Sequence, residues 1–251
     1  MDQTILIVDD DARLRQELKC SLDEYHVLEA EDGQKALQVL SKPNNIDLVI
    51  LDVKMPGLAG TEISKLIKKR EPHVAVIIFT AFSSKDVAID ALRGHADEYV
   101  EKPVDIDYLK KVIERVLEKK GVVNEAPVVG INGKIDKVKK FLERNCCKKV
   151  SLDEAASIVS MSPKYLSRIF YEIAGESFVE YKLKLKFEEA RRLLDNTEMT
   201  ISQISDKLAF QNPESFMRIF KKFTKQTPSE YRNKDKKKKK TVMKKAGKKV
   251  K

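Results

Sequence analysis

Leu48-Val49-Ile50-Leu51-Asp52-Val53-Lys54-Met55-Pro56-Gly57 is the stretch that decides the fold: four apolar residues run into a carboxylate, and a turn follows. The arrangement recurs along the first half of the chain. Ile5-Leu6-Ile7-Val8 delivers Asp9 and Asp10, Val76-Ile77-Ile78-Phe79 delivers Thr80, and Tyr99-Val100 stands just before Lys102-Pro103. The runs lack clean period-2 alternation, as expected of strands covered on both faces. Strands are expected at 4–8, 25–30, 48–51, 75–80 and 98–100, and helices at 12–23, 33–41, 60–70, 85–93 and 105–118. Five strand–helix units with short connections predict a doubly wound α/β fold around a five-stranded parallel sheet. Such a sheet gathers its functional groups beyond the C-terminal ends of its strands. Asp9, Asp10, Asp52, Thr80 and Lys102 are therefore expected in one pocket.

Carboxylates brought together repel. At ~4 Å and an effective dielectric near 20, a like pair costs about 4 kcal/mol. A hard cation cancels this, and Mg²⁺ favours one or two carboxylates, keeping water and phosphate oxygens as its other ligands. Asp52 can then attack phosphorus as a nucleophile and become an aspartyl phosphate. The product dianion needs donors, which the Thr80 hydroxyl and the Lys102 ammonium supply.

With these residues in view, 1–118 resembles a CheY-like receiver domain of a two-component response regulator, a flavodoxin-like fold. The matching motifs are Ile7-Val8-Asp9-Asp10, Asp52-x-x-Met55-Pro56-x-x-x-Gly60, Thr80-Ala81 and Tyr99-x-x-Lys102-Pro103. The resemblance implies phosphorylation of Asp52 by a partner histidine kinase. It implies Asp10, Asp52 and the Lys54 backbone carbonyl as direct Mg²⁺ ligands, with Asp9 in support. It also implies that Thr80 and Tyr99 reorient on phosphorylation. Departures from the family pattern are Ala59, Gly94-His95 and Val104, none of them in the pocket chemistry. An idle receiver typically loses the acceptor or the lysine, and here all five groups remain.

Length and composition bound the remaining choices. A chain of 251 residues holds about two domains. No apolar run approaches the ~20 residues of a membrane span, and Met1-Asp2-Gln3 does not read as a signal peptide. Cys20, Cys146 and Cys147 cannot frame a secreted disulfide fold, so the expected compartment is the cytoplasm. Cys146 and Cys147 are adjacent, and neighbours on a helix point to different faces, which favours two ordinary thiols over a redox pair. His26, His73 and His95 show no metal-binding spacing. The charge is unevenly spread: residues 1–120 have 18 Lys/Arg against 23 Asp/Glu, and residues 134–233 have 20 against 14. Residues 234–251 contain 11 Lys and one Asp. An acidic half joined to a basic half points to double-stranded DNA as partner of the second half alone.

Composition changes after Lys119. Residues 121–134, with Gly121, Pro127, Gly130 and Gly133, read as a linker between a first domain at 1–120 and a second at 135–233. From Ile135 the pattern is helical throughout. It contains an internal repeat: Ser162–Lys182 shifted by 50 falls on Asn212–Arg232 with six identities in 21 positions, and Leu152–Val159 aligns with Ile201–Leu208 at a shift of 49. In the first copy Ser162 caps a helix that Pro163 starts. Leu166, Ile169, Phe170 and Ile173 form its inward stripe, and Lys164, Tyr165, Ser167 and Arg168 are left outside near the helix start. In the second copy Asn212 caps and Phe216, Ile219, Phe220 and Phe223 face in. Glu214, Ser215, Met217, Arg218, Lys221 and Lys222 are then left exposed. A short helix, a tight turn and a second helix with outward polar residues at its start is helix-turn-helix logic.

Residues 135–232 resemble the DNA-binding domain of AraC-type transcription regulators. The resemblance rests on Tyr181…Glu189-Ala190-x-x-Leu193-Leu194, Ile201-Ser202-Gln203-Ile204, Phe216-x-Arg218-x-Phe220-Lys221-Lys222 and Thr227-Pro228-Ser229-Glu230-Tyr231-Arg232. Ala209 and Lys225 replace usual glycines, Ser205 a usual alanine and Lys186 a usual arginine, substitutions expected to cost local stability. Arg168 and Arg218 are candidates for reading bases, while Lys221 and Lys222 suit phosphates. The Lys-rich tail, 234–251, is expected to be disordered, either solvated or a nonspecific DNA tether.

The sequence thus predicts a response regulator whose phosphorylation controls sequence-specific DNA binding and transcription. Dimerisation on phosphorylation is expected, and RNA polymerase is a further candidate partner. No membrane association and no turnover catalysis are expected. The alternative is a phosphorelay or interaction module whose helical half docks a protein, against which stand the net +6 of that half and its paired helix-turn-helix units.

Overall fold

The computed structural model describes residues 3–55, 60–81, 96–121 and 130–233. The helix expected at 85–93, most of the linker, Pro56, Gly57, Ala59, Gly94, His95 and the tail 234–251 lie outside the described residues. The chain divides into two compact units, Met1–Val128 and Val129–Lys251.

In the first unit β1 (Thr4–Val8), β2 (His26–Ala30), β3 (Ile46–Leu51), β4 (Ala75–Thr80) and β5 (Glu98–Glu101) form one parallel sheet in the order β2-β1-β3-β4-β5. Helices α1 (Ala12–Ser21), α2 (Gly33–Ser41), α3 (Gly60–Arg70) and α4 (Ile106–Lys119) cover both faces. The unbroken apolar runs are explained by this double cover. Ile5, Ile7, Leu48, Ile50, Ile77 and Phe79 pack on one side with Leu18 of α1 and Leu109, Val112 and Ile113 of α4. Leu6, Val8, Val49, Leu51, Val76 and Ile78 pack on the other with Ala36 and Leu40 of α2 and Ile63 and Ile67 of α3. Three helices start on aspartate caps: the Asp11, Asp32 and Asp105 side chains accept backbone N–H bonds from the first turns of α1, α2 and α4.

The second unit is helical among its described residues: α5 (Gly130–Arg144), α6 (Leu152–Ile158), α7 (Pro163–Ala174), α8 (Phe178–Asn196), α9 (Ile201–Lys207) and α10 (Pro213–Thr224). The repeat seen in the sequence is a repeat of caps. Ser151/Glu154 closes a capping box at α6 and Thr200/Gln203 closes its counterpart at α9, 49 residues on. Ser162 and Asn212 cap α7 and α10, each with proline in the first turn. Each copy has its own core. Phe170, Leu166, Ile169 and Phe178 pack with Ile135, Val138 and Phe141 of α5. Phe216 and Phe220 pack with Ile204, Leu208, Ala190, Leu193 and Leu194. Helix α8 contributes to both cores, so it is the shared wall between the copies.

Four expectations need correction. Ile173 is 37% exposed and Phe223 43% exposed, so neither lies in the core. The buried stripe of each of these helices is narrower than four residues: Leu166, Ile169 and Phe170 on α7, and Phe216 and Phe220 on α10. Phe223 instead stacks on Phe187, ring centroids 4.7 Å apart. Ile219 is half-buried. Helix α5 begins at Gly130, inside the expected linker. Its apolar spacing extends back from Ile135 to Ile131, and one interior glycine costs only about 1 kcal/mol against alanine. Finally, Cys146 and Cys147 do not lie on a helix, since α5 ends at Arg144.

The departures from the AraC pattern leave physical traces. Ala209 and Lys225 adopt left-handed backbone, φ 51° and 60°, where a Cβ meets the following carbonyl. Gly175 holds the position equivalent to Lys225 in the first copy at φ 72° without that clash. Ser205 stands where the first copy has Ala156, fully buried, and its hydroxyl has no hydrogen-bond partner among the described residues. Lys225→Gly and Ser205→Ala should therefore each stabilise the helical unit by about 1 kcal/mol. Urea titration of the three proteins checks this, and midpoints that fall in the variants would contradict it.

Candidate functional site

The C-terminal ends of β1, β3, β4 and β5 converge as expected of this sheet. Asp9 follows β1, and Asp52 follows β3, its backbone N–H donating to the Val8 carbonyl at 2.9 Å. Asp9 and Asp52 are buried, whereas Asp10 is exposed. Carboxylate oxygens of Asp9, Asp10 and Asp52 lie within 4.8 Å of one another. Lys102 reaches in from the end of β5: its Nζ donates to Asp9 Oδ2 at 2.6 Å and stands 3.8 Å from Asp52 Oδ2. The Lys102 backbone N–H donates to the Thr80 carbonyl at 2.9 Å, joining the ends of β4 and β5. The Lys102 ammonium also sits 5.0 Å from the centre of the Phe79 ring. Thr80 is buried at the end of β4. Tyr99 is half-buried against the α2/α3 side, and burial followed by the nearby Glu101 pushes its hydroxyl above the ordinary tyrosine range. The Lys54 side chain points to solvent in the loop after β3.

Supporting contacts add residues that motif reading did not assign a role. Asp11 donates its backbone N–H to Asp9 Oδ1 at 2.9 Å, and Arg15 Nη1 donates to the Asp9 carbonyl at 2.7 Å. Asp52 Oδ1 accepts from the Val53 N–H at 2.8 Å. Gly60 closes the loop after β3 by donating to the Val53 carbonyl at 3.2 Å. A Cβ on Gly60 would overlap the Asp52 carbonyl oxygen, so the backbone itself requires glycine there. The donor set fits a hard divalent cation: carboxylate oxygens from two strands, one cation to offset them, and no soft sulfur or imidazole ligand in the group.

In the helical unit, Lys164, Tyr165, Ser167 and Arg168 are exposed on the first two turns of α7. The Arg168 guanidinium lies 5.4 Å from the Tyr165 ring centre and 3.9 Å from Glu172, both contacts on the solvent side. On α10, Glu214, Arg218, Lys221 and Lys222 are exposed, and Ser215 and Met217 are half-buried. Between the copies lies Lys186, buried on α8. Its Nζ donates to the Leu208 carbonyl at 2.5 Å and the Ala209 carbonyl at 3.3 Å, and faces the Phe210 ring. Those carbonyls end α9, where the helix dipole favours a cation. Lys182, also on α8, donates to the Val150 carbonyl ahead of α6 at 2.8 Å, and Lys134 of α5 donates to the Val159 carbonyl at the end of α6 at 3.2 Å. In sequence Lys186 stands out only as a departure from the AraC pattern and Lys182 has no role, because charge on an amphipathic helix does not reveal a buried carbonyl partner.

Comparison with known proteins agrees with this geometry. Residues 5–114 match the model of the response regulator receiver domain, and residues 155–234 match that of a helix-turn-helix domain. An uncharacterized response regulatory protein of Staphylococcus epidermidis is 25% identical over 92% of this chain and 99% of its own length. A protein named histidine kinase P4 from Formosa agariphila is 32% identical over 92% of this chain but only 18% of its own length. A receiver domain structure from Clostridium thermocellum is 37% identical, covering 48% of this chain and 98% of that one, with a TM-score of 0.45. The fold and the two matches define a receiver joined to an AraC-type helix-turn-helix domain. The two matched families together describe a response regulator with a helix-turn-helix domain, and the chain spans only 18% and 31% of the length of the first curated relatives it matches. That architecture is a regulator's. No described helix is long and apolar enough to cross a membrane.

Burial lowers the Lys186 ammonium to about 8. The folded chain then loses this proton near pH 8, while the unfolded chain keeps it to about 10.5. The unfolded state holds more protons between those values, so stability rises with pH there, by at most about 1.4 kcal/mol per pH unit. Lys182 is lowered by burial too and adds in the same direction. Tyr25 and Tyr181, raised to about 12, oppose the rise only above pH 10. In a Cys146→Ser, Cys147→Ser background, urea unfolding between pH 7.5 and 9.5 should show the rise, and Lys186→Met should remove most of it. A slope unchanged by Lys186→Met would contradict the assignment.

Proposed function

We propose that Asp52 accepts a phosphoryl group from a histidine kinase and that this controls binding of the helical unit to specific double-stranded DNA. The observation that carries the first half is the cluster of Asp9, Asp10 and Asp52, with the Lys102 ammonium facing Asp9 and Asp52. Asp10, Asp52 and the Lys54 carbonyl would hold Mg²⁺, with Asp9 in support. When bound, Mg²⁺ supplies charge neutralisation to the carboxylates and to the incoming phosphoryl oxygens.

Asp52 is held for attack by its own backbone and by Val53, which fix one carboxylate oxygen and leave the other toward Lys102. That second oxygen forms the new bond to phosphorus as the bond from phosphorus to the kinase imidazole nitrogen breaks. Lys102 and the Thr80 hydroxyl serve as donors to the product. Tyr99, half-buried beside Thr80's strand, is the coupled switch residue, and its face is the expected site of dimerisation. RNA polymerase is proposed as a further partner. Small phosphodonors should phosphorylate the protein once, with Mg²⁺, and Asp52→Asn should abolish the mass gain. A gain that survives the substitution, or forms undiminished under chelation, would sink the reading.

For DNA, α7 and α10 are proposed as recognition helices, entering successive major-groove segments about 34 Å apart on one face of the duplex. Lys164, Tyr165, Ser167 and Arg168, and then Glu214, Ser215, Met217 and Arg218, would meet base edges, with Lys221 and Lys222 on phosphates. Support comes from the exposure of both arginines near the starts of equivalent helices. Arg168→Ala and Arg218→Ala should each cost about 1–3 kcal/mol of binding and relax preference in different halves of the site. Binding selections on randomised duplexes measure this; equal losses on every sequence would reduce both arginines to phosphate contacts.

A further inference from the structure

The adjacent thiols Cys146 and Cys147 fall outside the phosphoryl and DNA-reading chemistry. Residues 145–148 form a turn beyond α5: the Cys146 N–H donates to Glu143 at 3.4 Å and the Lys148 N–H to Asn145 at 2.9 Å. The turn brings together side chains that a helix would send apart, and the two sulfurs lie 3.8 Å from each other in S–H···S contact. Both thiols are partly open to solvent. Cys147 packs against the core of the second copy, while the turn itself leads into α6 of the first.

We propose that Cys146 and Cys147 form a reversible thiol–disulfide site, oxidised by small hydroperoxides. Cys147 is the attacking sulfur. The hydrogen bond from Cys146 holds its thiolate below the usual thiol range, and Lys207 and Lys186 act in the same direction against burial and Glu189. The same contact pushes the Cys146 thiol up. The Cys147 thiolate attacks a peroxide oxygen; the O–O bond breaks, leaving a sulfenic acid on Cys147 and hydroxide, which takes a proton to become water for hydrogen peroxide. Cys146 sulfur then attacks the sulfenic sulfur, the S–S bond forms, the S–O bond breaks, and water leaves with the Cys146 proton. Two thiols and one hydrogen peroxide thus give one disulfide and two waters.

Closure needs the sulfurs to approach from 3.8 Å to about 2.05 Å. Adjacent residues have Cα atoms about 3.8 Å apart, closer than the usual disulfide span of about 4.4–6.8 Å. The bond is therefore strained, and strained disulfides are the easily reduced, labile ones. Cys20, exposed on α1 of the other unit, has no neighbouring thiol and serves as an internal control.

The test treats the full chain with equimolar hydrogen peroxide and maps its peptides after cleavage at Arg144 and Lys148. The expected product is the Asn145–Lys148 peptide lighter by two hydrogens, restored by dithiothreitol. In Cys146→Ser, a dimedone adduct should accumulate on Cys147, and in the unaltered chain it should not. A pair that stays reduced while Cys20 oxidises would overturn the proposal. So would dimedone adducts that accumulate equally with and without Cys146.

Discussion

The contact between the Lys102 ammonium and the buried Asp9 carboxylate holds the acidic pocket together. A buried carboxylate left alone costs several kcal/mol even after relaxation, and Asp9 is almost wholly enclosed. Lys102 offsets that cost from 93 residues away, with β3 and β4 lying between β1 and β5. The bond ties the first strand to the last, and β5 is the shortest strand of the five. The same ammonium stands 3.8 Å from Asp52. Charge added at Asp52 therefore competes with Asp9 for Lys102. Because the Lys102 backbone is bonded to the Thr80 carbonyl, a shift of that lysine is felt at the ends of β4 and β5 together. The pocket and the Tyr99 strand are linked by covalent neighbours and one hydrogen bond.

The receiver was legible because its chemistry and its topology use the same signal. An apolar run buried on both faces cannot hold a polar residue in its middle, so Asp52 and Thr80 had to fall at strand ends, and in a parallel sheet all those ends share one edge. Every described strand and helix of that unit lies within a few residues of its expected bounds. The supporting contacts were not legible. Arg15 and Asp11 look like surface residues of an amphipathic helix start, and only coordinates show that they bond to Asp9.

The helical unit was read less completely, and the reasons are local. Periodicity places Ile173 and Phe223 on the inward stripe, yet periodicity says nothing about where the partner surface stops. Glycines at 130 and 133 argue for a loop, but Ile135, Val138, Phe141 and Leu142 bury one face of the helix, and their packing outweighs the propensity cost. The adjacent cysteines were judged by helical geometry, and the helix ends two residues before them. Lys186 stands out in sequence only as the replacement of a usual arginine, since charge alone does not reveal that two helix-end carbonyls await it.

The two copies of the helix-turn-helix are not energetically equal. Both have a left-handed residue in the turn, Ser160 in one and Ala209 in the other, so that strain cancels between them. Two differences do not cancel. The first copy ends its recognition helix on Gly175 and the second on Lys225, at about 1–2 kcal/mol for a side chain in that conformation. The first copy has Ala156 in its core and the second an unpartnered Ser205 hydroxyl, at about 1–3 kcal/mol. The second copy also depends on a desolvated Lys186 ammonium to close α9, whereas the equivalent carbonyl of the first copy, Val159 at the end of α6, accepts from Lys134, which is only half-buried. Local opening starts where such costs accumulate. The α9–α10 copy is thus the softer half of the DNA-reading unit, and α8, packed into both cores, is the element through which its opening is resisted.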